Sequence, residues 1–350
     1  MKRIENFFRA EKLIYETIEL LKLDLSSMTV LTEAASGNFI VTPLIAAMAG
    51  ADQTYVVCQN SVYGTVEEIQ AYLYELMQFF DIPYERICYI EEKKSVAERV
   101  NIVTNLGFVR PITSEFIQKL PYDAAIPLMF ETWEFRDSDI NMNTCKVNNI
   151  PVLGTKETDS RLKIFNYVGV SVLKLLLENG IEVFKSHILL ISSGEYLDSV
   201  KKVLESNGAV IKVYNPYNKY DSLDGFKDLL EHCDAVVVAE QKHKEMLLGD
   251  ESGHIQISWL LKSKPIVIHI AGLVDDNLLE ESQIKKQPAK RISYGYMTVT
   301  TEYAGIRPVI ELHAAGLKVG QALVEGMRKY RDVGKAKTYA LKYSPAMDFK

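Results

Sequence analysis

The stretch Ile188-Leu189-Leu190-Ile191-Ser192-Ser193-Gly194-Glu195-Tyr196 decides how this chain folds. An apolar run, a turn with a glycine and a helical stretch follow one another here, as in the phosphate-binding unit of α/β proteins. In that unit the backbone N–H groups and the dipole of the helix converge on a phosphate group. Compared with the pattern G-x-G-x-x-G, the stretch keeps only the middle glycine, as Gly194.

This turn predicts a dinucleotide site, and we expect NAD or NADP to bind there. Asn215 closes the next apolar run, where an acidic residue would hold the ribose hydroxyls. An amide can also bond a hydroxyl, and it lacks the charge that would repel a 2′-phosphate. The alternative is a Rossmann-like lobe that has lost its dinucleotide. The predicted cofactor-binding residues are Ser192, Ser193, Gly194, Glu195, Tyr196, Asn215 and His269.

Apolar runs rich in Val and Ile alternate with helical patterns on both sides of this stretch. Such alternation is typical of parallel sheets covered by helices on both faces. The runs expected as strands cover residues 28–32, 54–58, 87–90, 102–105, 124–129, 188–191, 210–214, 235–239 and 266–270. We therefore predict an α/β fold with two Rossmann-like lobes and an interdomain cleft.

The two series of runs set the expected domains. Residues 1–158 form a substrate-type, flavodoxin-like lobe that a C-terminal segment, 304–350, completes, and residues 159–303 form the dinucleotide-binding lobe. A helix over 160–179, with Gly180 as its C-cap, joins them. The amphipathic stretch 308–328 is expected to pack back on the first lobe. A length of 350 residues is consistent with two domains.

Composition narrows the class of protein. A net charge of -6 gives no positive field that would attract nucleic acid or an anionic membrane. The N-terminus carries charges among its apolar residues, so we expect no signal peptide there, and no later apolar run suits a spanning helix.

The spacing of the cysteines bears on the redox environment. No C-x-x-C pair occurs among Cys58, Cys88, Cys145 and Cys233, so buried free thiols are favoured over disulfides or a metal site. These features favour a cytoplasmic protein.

Polar residues just after apolar runs are the first candidates for a site, because ligands bind beyond the carboxyl ends of parallel strands. Arg110 could hold a carboxylate or phosphate with its fork of donors. Glu131 could act as a base if its aromatic neighbours desolvate it; the alternative is a surface ion pair of Arg136 with Glu134 or Glu131. His313 is the third catalytic candidate, and a core histidine is the alternative.

A late segment adds a further candidate group of charges. Arg307, Glu311 and Lys318 stand among small and apolar residues there. Since Glu311 follows Arg307 by four residues, an intrahelical ion pair is the simpler interpretation.

Several stretches resemble known two-lobed enzymes. Residues 37–51 and 59–65, Phe165-Asn166-Tyr167-Val168-Gly169 and residues 269–275 are similar to S-adenosylhomocysteine hydrolases. Arg110-Pro111-Ile112 and Asp139-Ile140-Asn141 equally resemble D-2-hydroxyacid dehydrogenases (the formate and glycerate dehydrogenase type) and alanine dehydrogenase. The resemblance implies a divergent member with two lobes, an NAD cofactor and a homodimer formed through the cofactor lobes.

The departures from these families bear on activity. The loop after residues 266–270 lacks the arginine that binds substrate in the dehydrogenases, and no histidine near Thr298 could serve as their acid. Lys163 matches a lysine of the hydrolases, but Phe165 stands where they have an aspartate. We expect an NAD(P)-dependent oxidoreductase, or an NAD-using lyase or hydrolase, acting on a small anionic or nucleoside-like substrate. A catalytically silent protein that binds a small molecule or a partner subunit is the alternative.

Overall fold

The computed structural model describes residues 1–218, 226 and 229–349. The chain divides into two compact units. Unit 1 comprises Met1–Leu162 and Gly305–Lys350, and unit 2 comprises Lys163–Ala304. In the part of the chain that is described, no helix is both long enough and apolar enough to cross a membrane.

Unit 1 is built on a parallel sheet. Its strands are β1 (Thr29–Glu33), β2 (Gln53–Val57), β3 (Ile87–Tyr89), β4 (Ile102–Val103), β5 (Ile126–Pro127) and β6 (Val152–Thr155). The order β3-β2-β1-β4 continues through a parallel bridge between Ile102 and Ala125 into β5 and β6. This is the 3-2-1-4-5-6 order of dinucleotide-binding folds. A short strand β15 (Ala346–Met347) pairs antiparallel with β6 at the edge.

Helices pack around this sheet. They are α1 (Phe7–Leu21), α2 (Val41–Met48), α3 (Val66–Phe79), α4 (Ser114–Ile117), α5 (Met142–Val147), α9 (Ile306–Tyr330) and α10 (Val333–Tyr343). Thr65 caps α3 in a capping box with Glu68. The long helix α9 lies against β4 and β5 at Gly320, where a Cβ atom would come within 2.8 Å of Ile102 Cγ2.

Unit 2 has its own parallel sheet. The strands are β7 (His187–Ser192), β8 (Val210–Tyr214), β9 (Ala235–Ala239), β12 (Ile266–Ala271) and β14 (Lys286–Gln287), in the order β14-β12-β9-β7-β8. A second small parallel sheet holds β10 (Met246–Gly249), β11 (Ile255–Gln256) and β13 (Leu273–Val274). Ile188 and Leu190 pack in one core cluster, Leu189 and Ile191 in another. Both faces of β7 are therefore covered, as a parallel sheet requires.

The described helices of unit 2 include α6 (Asn166–Glu178), α7 (Gly194–Ser206) and α8 (Asp276–Glu281). Helices α6 and α7 touch closely at Gly169, where a Cβ atom would lie 2.5 Å from the carbonyl oxygen of Ser199. The amide of Gly169 also donates to Ser199 Oγ at 3.1 Å. A side chain at this position would force the two helices apart.

The predicted α/β fold class with parallel sheets is confirmed, and several predicted details are corrected. The helix predicted over 160–179 begins only at Asn166, because Lys163 has a left-handed backbone (φ 51) that interrupts it. The runs 102–105 and 124–129 shorten to two-residue strands. All four cysteines are free thiols, as predicted, but Cys88 is only partly buried.

Candidate functional site

The carboxyl edge of the unit 1 sheet carries several buried polar groups. Between β1 and β4 the strand order reverses, and this is where α/β sheets bind ligands. Glu33, the last residue of β1, is buried and accepts a hydrogen bond from the amide of Phe108 at 2.7 Å. Asn105 follows β4; its Oδ1 accepts from the amide of Met129 at 2.8 Å, while its buried Nδ2 has no partner among the described residues. An unpaired buried donor at a switch point is a candidate ligand contact.

Three glutamates meet beyond β5 and β6. Glu131 Oε1 accepts from the backbone amide of Glu157 at 3.2 Å, and its Oε2 accepts from Trp133 Nε1 at 3.2 Å. Glu134 and Glu157 share a side-chain hydrogen bond. Glu131 and Glu157 are buried, and Glu134 is partly buried. The three glutamates lie close together because residues that follow the parallel strands β5 and β6 emerge at the same edge of the sheet.

The environment changes the acidity of this pair. Desolvation raises the pKa of Glu134 from 4.5 to about 7, although the nearby Arg136 opposes the rise. Desolvation, followed by the charges of Glu134 and Glu131, raises the pKa of Glu157 well above its ordinary value. A hydrogen bond between two carboxyl groups requires a proton on one of them, and burial of the pair favours that protonated state. A carboxyl group with a pKa near 7 can both accept and release a proton at neutral pH.

Arg110 lies at this edge as half of an ion pair. Its Nη1 donates to Asp139 Oδ2 at 2.8 Å; Asp139 is buried and Arg110 is partly buried. The sequence analysis did not consider this partner. The charge of Arg110 also lowers the pKa of Glu33 and of Glu134, against the larger effect of desolvation on both. Arg110 and Glu131 thus belong to one group of charges.

His313 lies in the interior of unit 1, on α9. Its Nδ1 is 2.6 Å from Thr42 Oγ1, and its ring is 5.9 Å from that of Phe39. Burial lowers its pKa to about 4, so the ring is neutral at pH 7. This buried environment fits the alternative interpretation of His313 as a core histidine. The late segment likewise shows the intrahelical pair, with Arg307 Nη1 3.5 Å from Glu311 Oε1.

In unit 2, the turn after β7 has the geometry of an anion-binding turn. Gly194 has a left-handed backbone (φ 56), and no atom of the described residues would lie within 4 Å of a Cβ added there. Ser193 is the N-cap of α7 but makes no side-chain capping bond within the described residues. Ser192 is fully buried, and its Oγ donates to Ala239 O at 2.5 Å.

The first residues of α7 are held by neighbouring side chains. The exposed Glu195 lies 3.5 Å from Lys242, which balances its charge. Tyr196 is buried and fixes the start of the helix against Phe165.

Polar groups follow the neighbouring strands at the same edge. Glu240 and Gln241 come directly after β9 and are buried; Glu240 Oε2 and Gln241 Oε1 have no hydrogen-bond partner within the described ranges. Asn215 follows β8, and its Oδ1 accepts from the amide of Tyr217 at 3.0 Å. The NH₂ group is then the end of Asn215 suited to bind a ligand. These atoms offer acceptors and a donor beside the turn.

His269 is placed differently from the sequence expectation. Strand β12 runs on to Ala271, so His269 lies inside the strand and is buried. Its Nε2 is 2.9 Å from Gly272 O, and its Nδ1 is 3.5 Å from Lys286 Nζ. Burial lowers its pKa to about 4. Both ring nitrogens are therefore engaged by neighbouring structure, and we do not retain His269 as a cofactor contact.

The sequence analysis did not select Glu33, Glu157 or Glu240. Each ends an apolar strand or follows one within two residues, so the rule that singled out Glu131 would also have selected them. Glu134 was considered only as a surface ion-pair partner. Its raised pKa comes from desolvation by tertiary packing, which the order of residues does not show.

No protein-family model and no curated protein matches this sequence. Solved structures share its fold. A dipicolinate synthase subunit from Bacillus halodurans is 13% identical with a TM-score of 0.52, over 83% of this chain and 96% of that chain. A dipicolinate synthase chain from Bacillus subtilis is 10% identical with a TM-score of 0.56, over 87% and 98%. A Ralstonia solanacearum oxidoreductase described as a D-3-phosphoglycerate dehydrogenase is 13% identical with a TM-score of 0.50, over 90% and 99%.

At these identities the similarity shows the fold. One of the structures that share this fold is described as a dehydrogenase. The resemblance to D-2-hydroxyacid dehydrogenases, to S-adenosylhomocysteine hydrolases and to alanine dehydrogenase stays a prediction.

Proposed function

We propose that this protein is an NAD- or NADP-dependent oxidoreductase that acts on a small anionic or nucleoside-like substrate. The observation that carries the proposal is the turn from β7 into α7, with its left-handed Gly194 and the open space above it. The fold shared with a dehydrogenase and with two dipicolinate synthase chains supports it. When bound, the nicotinamide would accept or donate a hydride.

The residues of unit 2 fit a dinucleotide. The N–H groups at the start of α7 would hold the pyrophosphate, because the first turn of a helix leaves such donors without intrahelical partners. The orphaned acceptor Glu240 Oε2 would take a hydrogen bond from a ribose hydroxyl. The NH₂ group of Asn215 would donate to a ribose hydroxyl or to a 2′-phosphate, so it does not select against NADP.

The residues of unit 1 would handle the substrate proton. Oxidation of an alcohol or amine releases a proton as well as a hydride, and a group with a pKa near the working pH accepts it best. Glu134 has such a pKa, and its hydrogen bond to Glu157 lets the pair hold one proton between two carboxyl groups. In this proposal Glu134 acts as the base, the role that the sequence analysis gave to Glu131. Glu131 instead accepts a hydrogen bond from the backbone amide of Glu157 and holds it in place.

Arg110 is proposed to hold the substrate's anionic group. Asp139 fixes one end of its guanidinium at 2.8 Å, which orients the planar fork before a ligand arrives. A partly buried guanidinium binds a carboxylate or phosphate more strongly than a fully exposed one, because water competes less.

Equilibrium binding of NAD and NADP to the purified full-length protein tests the proposal. Calorimetric titration at pH 7 is expected to show one dinucleotide per chain for at least one of the two. Absence of binding for both, in protein whose unfolding is cooperative, would overturn the proposal. It would favour the catalytically silent alternative, in which the same edges hold another small molecule or a partner subunit.

A further inference from the structure

Two histidines and a glutamate of unit 2 converge at one point. Candidate ligand atoms of His243, Glu245 and His254 all lie within 4.8 Å of one another. The rings of His243 and His254 are 4.7 Å apart and perpendicular, and His254 Nε2 is 3.0 Å from Glu245 Oε2. The proposed function uses none of these three side chains.

The small sheet explains why these residues meet. Strands β10 and β11 are parallel, with Leu248 opposite Ile255, so His254, the residue before β11, lies beside the start of β10, and Glu245 directly precedes that start. The backbone amide of His254 donates to Met246 O at 3.0 Å, which fixes this register at the ligand positions. Glu245 and His254 are therefore held on paired backbone segments, a rigid support for a coordination site.

A tyrosine orients one of the imidazoles. Tyr214, the buried last residue of β8, has its Oη 2.8 Å from His254 Nδ1 and packs its ring edge-on against Phe226. Tyr214 Oη can accept the ring proton on Nδ1, so a cation can replace the hydrogen bond between Nε2 and Glu245 and be bound by the Nε2 lone pair and the carboxylate together. Metal-binding histidines usually have such a partner on the second nitrogen, and it fixes the tautomer. Tyr217 packs edge-on against His243 at 4.9 Å and restrains that ring.

The neighbouring lysines point elsewhere. Lys242 contacts Glu195 at 3.5 Å, and Lys244 contacts the ring of Tyr294 at 5.6 Å. The cluster thus combines two imidazoles and one carboxylate. His243 Nδ1 accepts a long hydrogen bond, 3.3 Å, from the amide of Glu245, and a bond of this length is given up to a cation at little cost.

We propose that His243, Glu245 and His254 form a binding site for a divalent transition-metal ion, with Zn²⁺ as the fitting probe. Two imidazole nitrogens and one carboxylate oxygen are a ligand set that binds zinc with one coordination position left for water. Hard cations such as Mg²⁺ prefer oxygen ligands alone and would bind weakly. The site does not depend on the proposed oxidoreductase function. It would link the loop before β10 to the turn before β11 and stabilise unit 2.

The test uses full-length, untagged protein freed of metal by dialysis against a chelator. Titration with Zn²⁺ is expected to show one ion per chain and a rise in the unfolding temperature, because a ligand that binds only the folded state stabilises it. Glu245→Gln is the sharpest variant, since this side chain is 75% exposed and its loss cannot unfold the protein. It should abolish the stoichiometric step, whereas Glu251→Gln, an exposed carboxylate in the turn before β11, should not.

Two further measurements separate this site from a thiol site. Co²⁺ should give visible absorption without the intense near-ultraviolet band of a thiolate ligand. Tyr214→Phe should weaken Zn²⁺ binding by about 10- to 100-fold while the site still fills at high metal concentration. Equal Zn²⁺ binding by wild type, Glu245→Gln and His254→Ala, or a thiolate band with Co²⁺, would overturn the proposal. So would the absence of stoichiometric binding by the wild type.

Discussion

The side-chain carboxyl groups of Glu134 and Glu157 share a hydrogen bond at the carboxyl edge of unit 1, which requires a proton on one of the two. Burial keeps one proton on this pair under conditions in which exposed glutamates are ionised. The relation joins residues that follow two adjacent strands, β5 and β6, and it makes the pair the best proton acceptor of the candidate site.

The first prediction is a pH-dependent loss of stability. The folded pKa of Glu134 is raised from 4.5 to about 7. The stability that its protonation contributes is therefore fully present below about pH 4.5 and is lost as the pH rises through about 7. Glu134→Gln should therefore lose less free energy of unfolding than wild type between about pH 5 and about pH 8. Urea unfolding at the two pH values measures this, with exposed Glu98→Gln as the control. Parallel losses in wild type and Glu134→Gln would contradict it.

The second prediction concerns Gly194. In Gly194→Val a branched side chain would occupy the open space above the turn, so NAD or NADP binding should weaken by about 10-fold or more, about 1.4 kcal/mol. Gly180→Val is a matched control, because Gly180 also has a positive φ and open surroundings but precedes β7 instead of following it. The control separates backbone strain from blocked binding. Unchanged dinucleotide affinity in folded Gly194→Val would exclude this turn as the phosphate site.

The third prediction concerns Arg110. Arg110→Lys keeps the charge but loses the planar fork, so affinity for the anionic substrate should fall by about 10- to 100-fold, about 1.5–3 kcal/mol. A panel of 2-hydroxy acids, 2-oxo acids and nucleosides, screened by thermal shift and then by steady-state kinetics with NAD and NADP, identifies the substrate for this comparison. Arg99→Lys, an exposed site in the same unit, is the control. Kinetics identical to wild type would remove Arg110 from the substrate site.

The fourth prediction concerns the contact between α6 and α7. Gly169→Ala should destabilise the protein by about 1–3 kcal/mol, because the new methyl group would lie 2.5 Å from Ser199 O and 2.8 Å from Val203 Cγ2. Val170→Ala, on the exposed side of α6, should change stability far less. Urea unfolding compares the three proteins. A Gly169→Ala protein as stable as wild type would show that α6 and α7 can separate at low cost.

The fifth prediction is that the protein forms a homodimer, as its resemblance to two-lobed dehydrogenases implies. Light scattering at micromolar concentration should give twice the chain mass of 39.6 kDa. A mass equal to one chain would rule the dimer out.

The sequence was sufficient for the buried strands of unit 2 and for the turn between β7 and α7. The run 235–239 matches its strand at both ends, because continuous Val residues suit a strand buried on both faces. The run 210–214 also matches its strand, although β8 lies at the edge of the sheet and Val210 is exposed. The short strands β10, β11, β13 and β14 were missed, since two to four residues carry too little pattern to recognise.

At the candidate site, the rule that ligands bind beyond the strand ends placed Arg110 and Glu131 at one edge. It did not place His269, because this residue lies inside β12 and the core on that face of the strand buries its imidazole.

The order of residues by itself determined the alternation of strands and helices, the left-handed glycine after β7 and the acidic residues that follow β5 and β6. These features are local, since they depend on side chains within a few positions of one another. Only the tertiary structure decided which of those acids hold a proton. The pKa of Glu134 and of Glu157 is set by desolvation and by charges from other strands, which chain folding brings together across 23 residues of sequence and more.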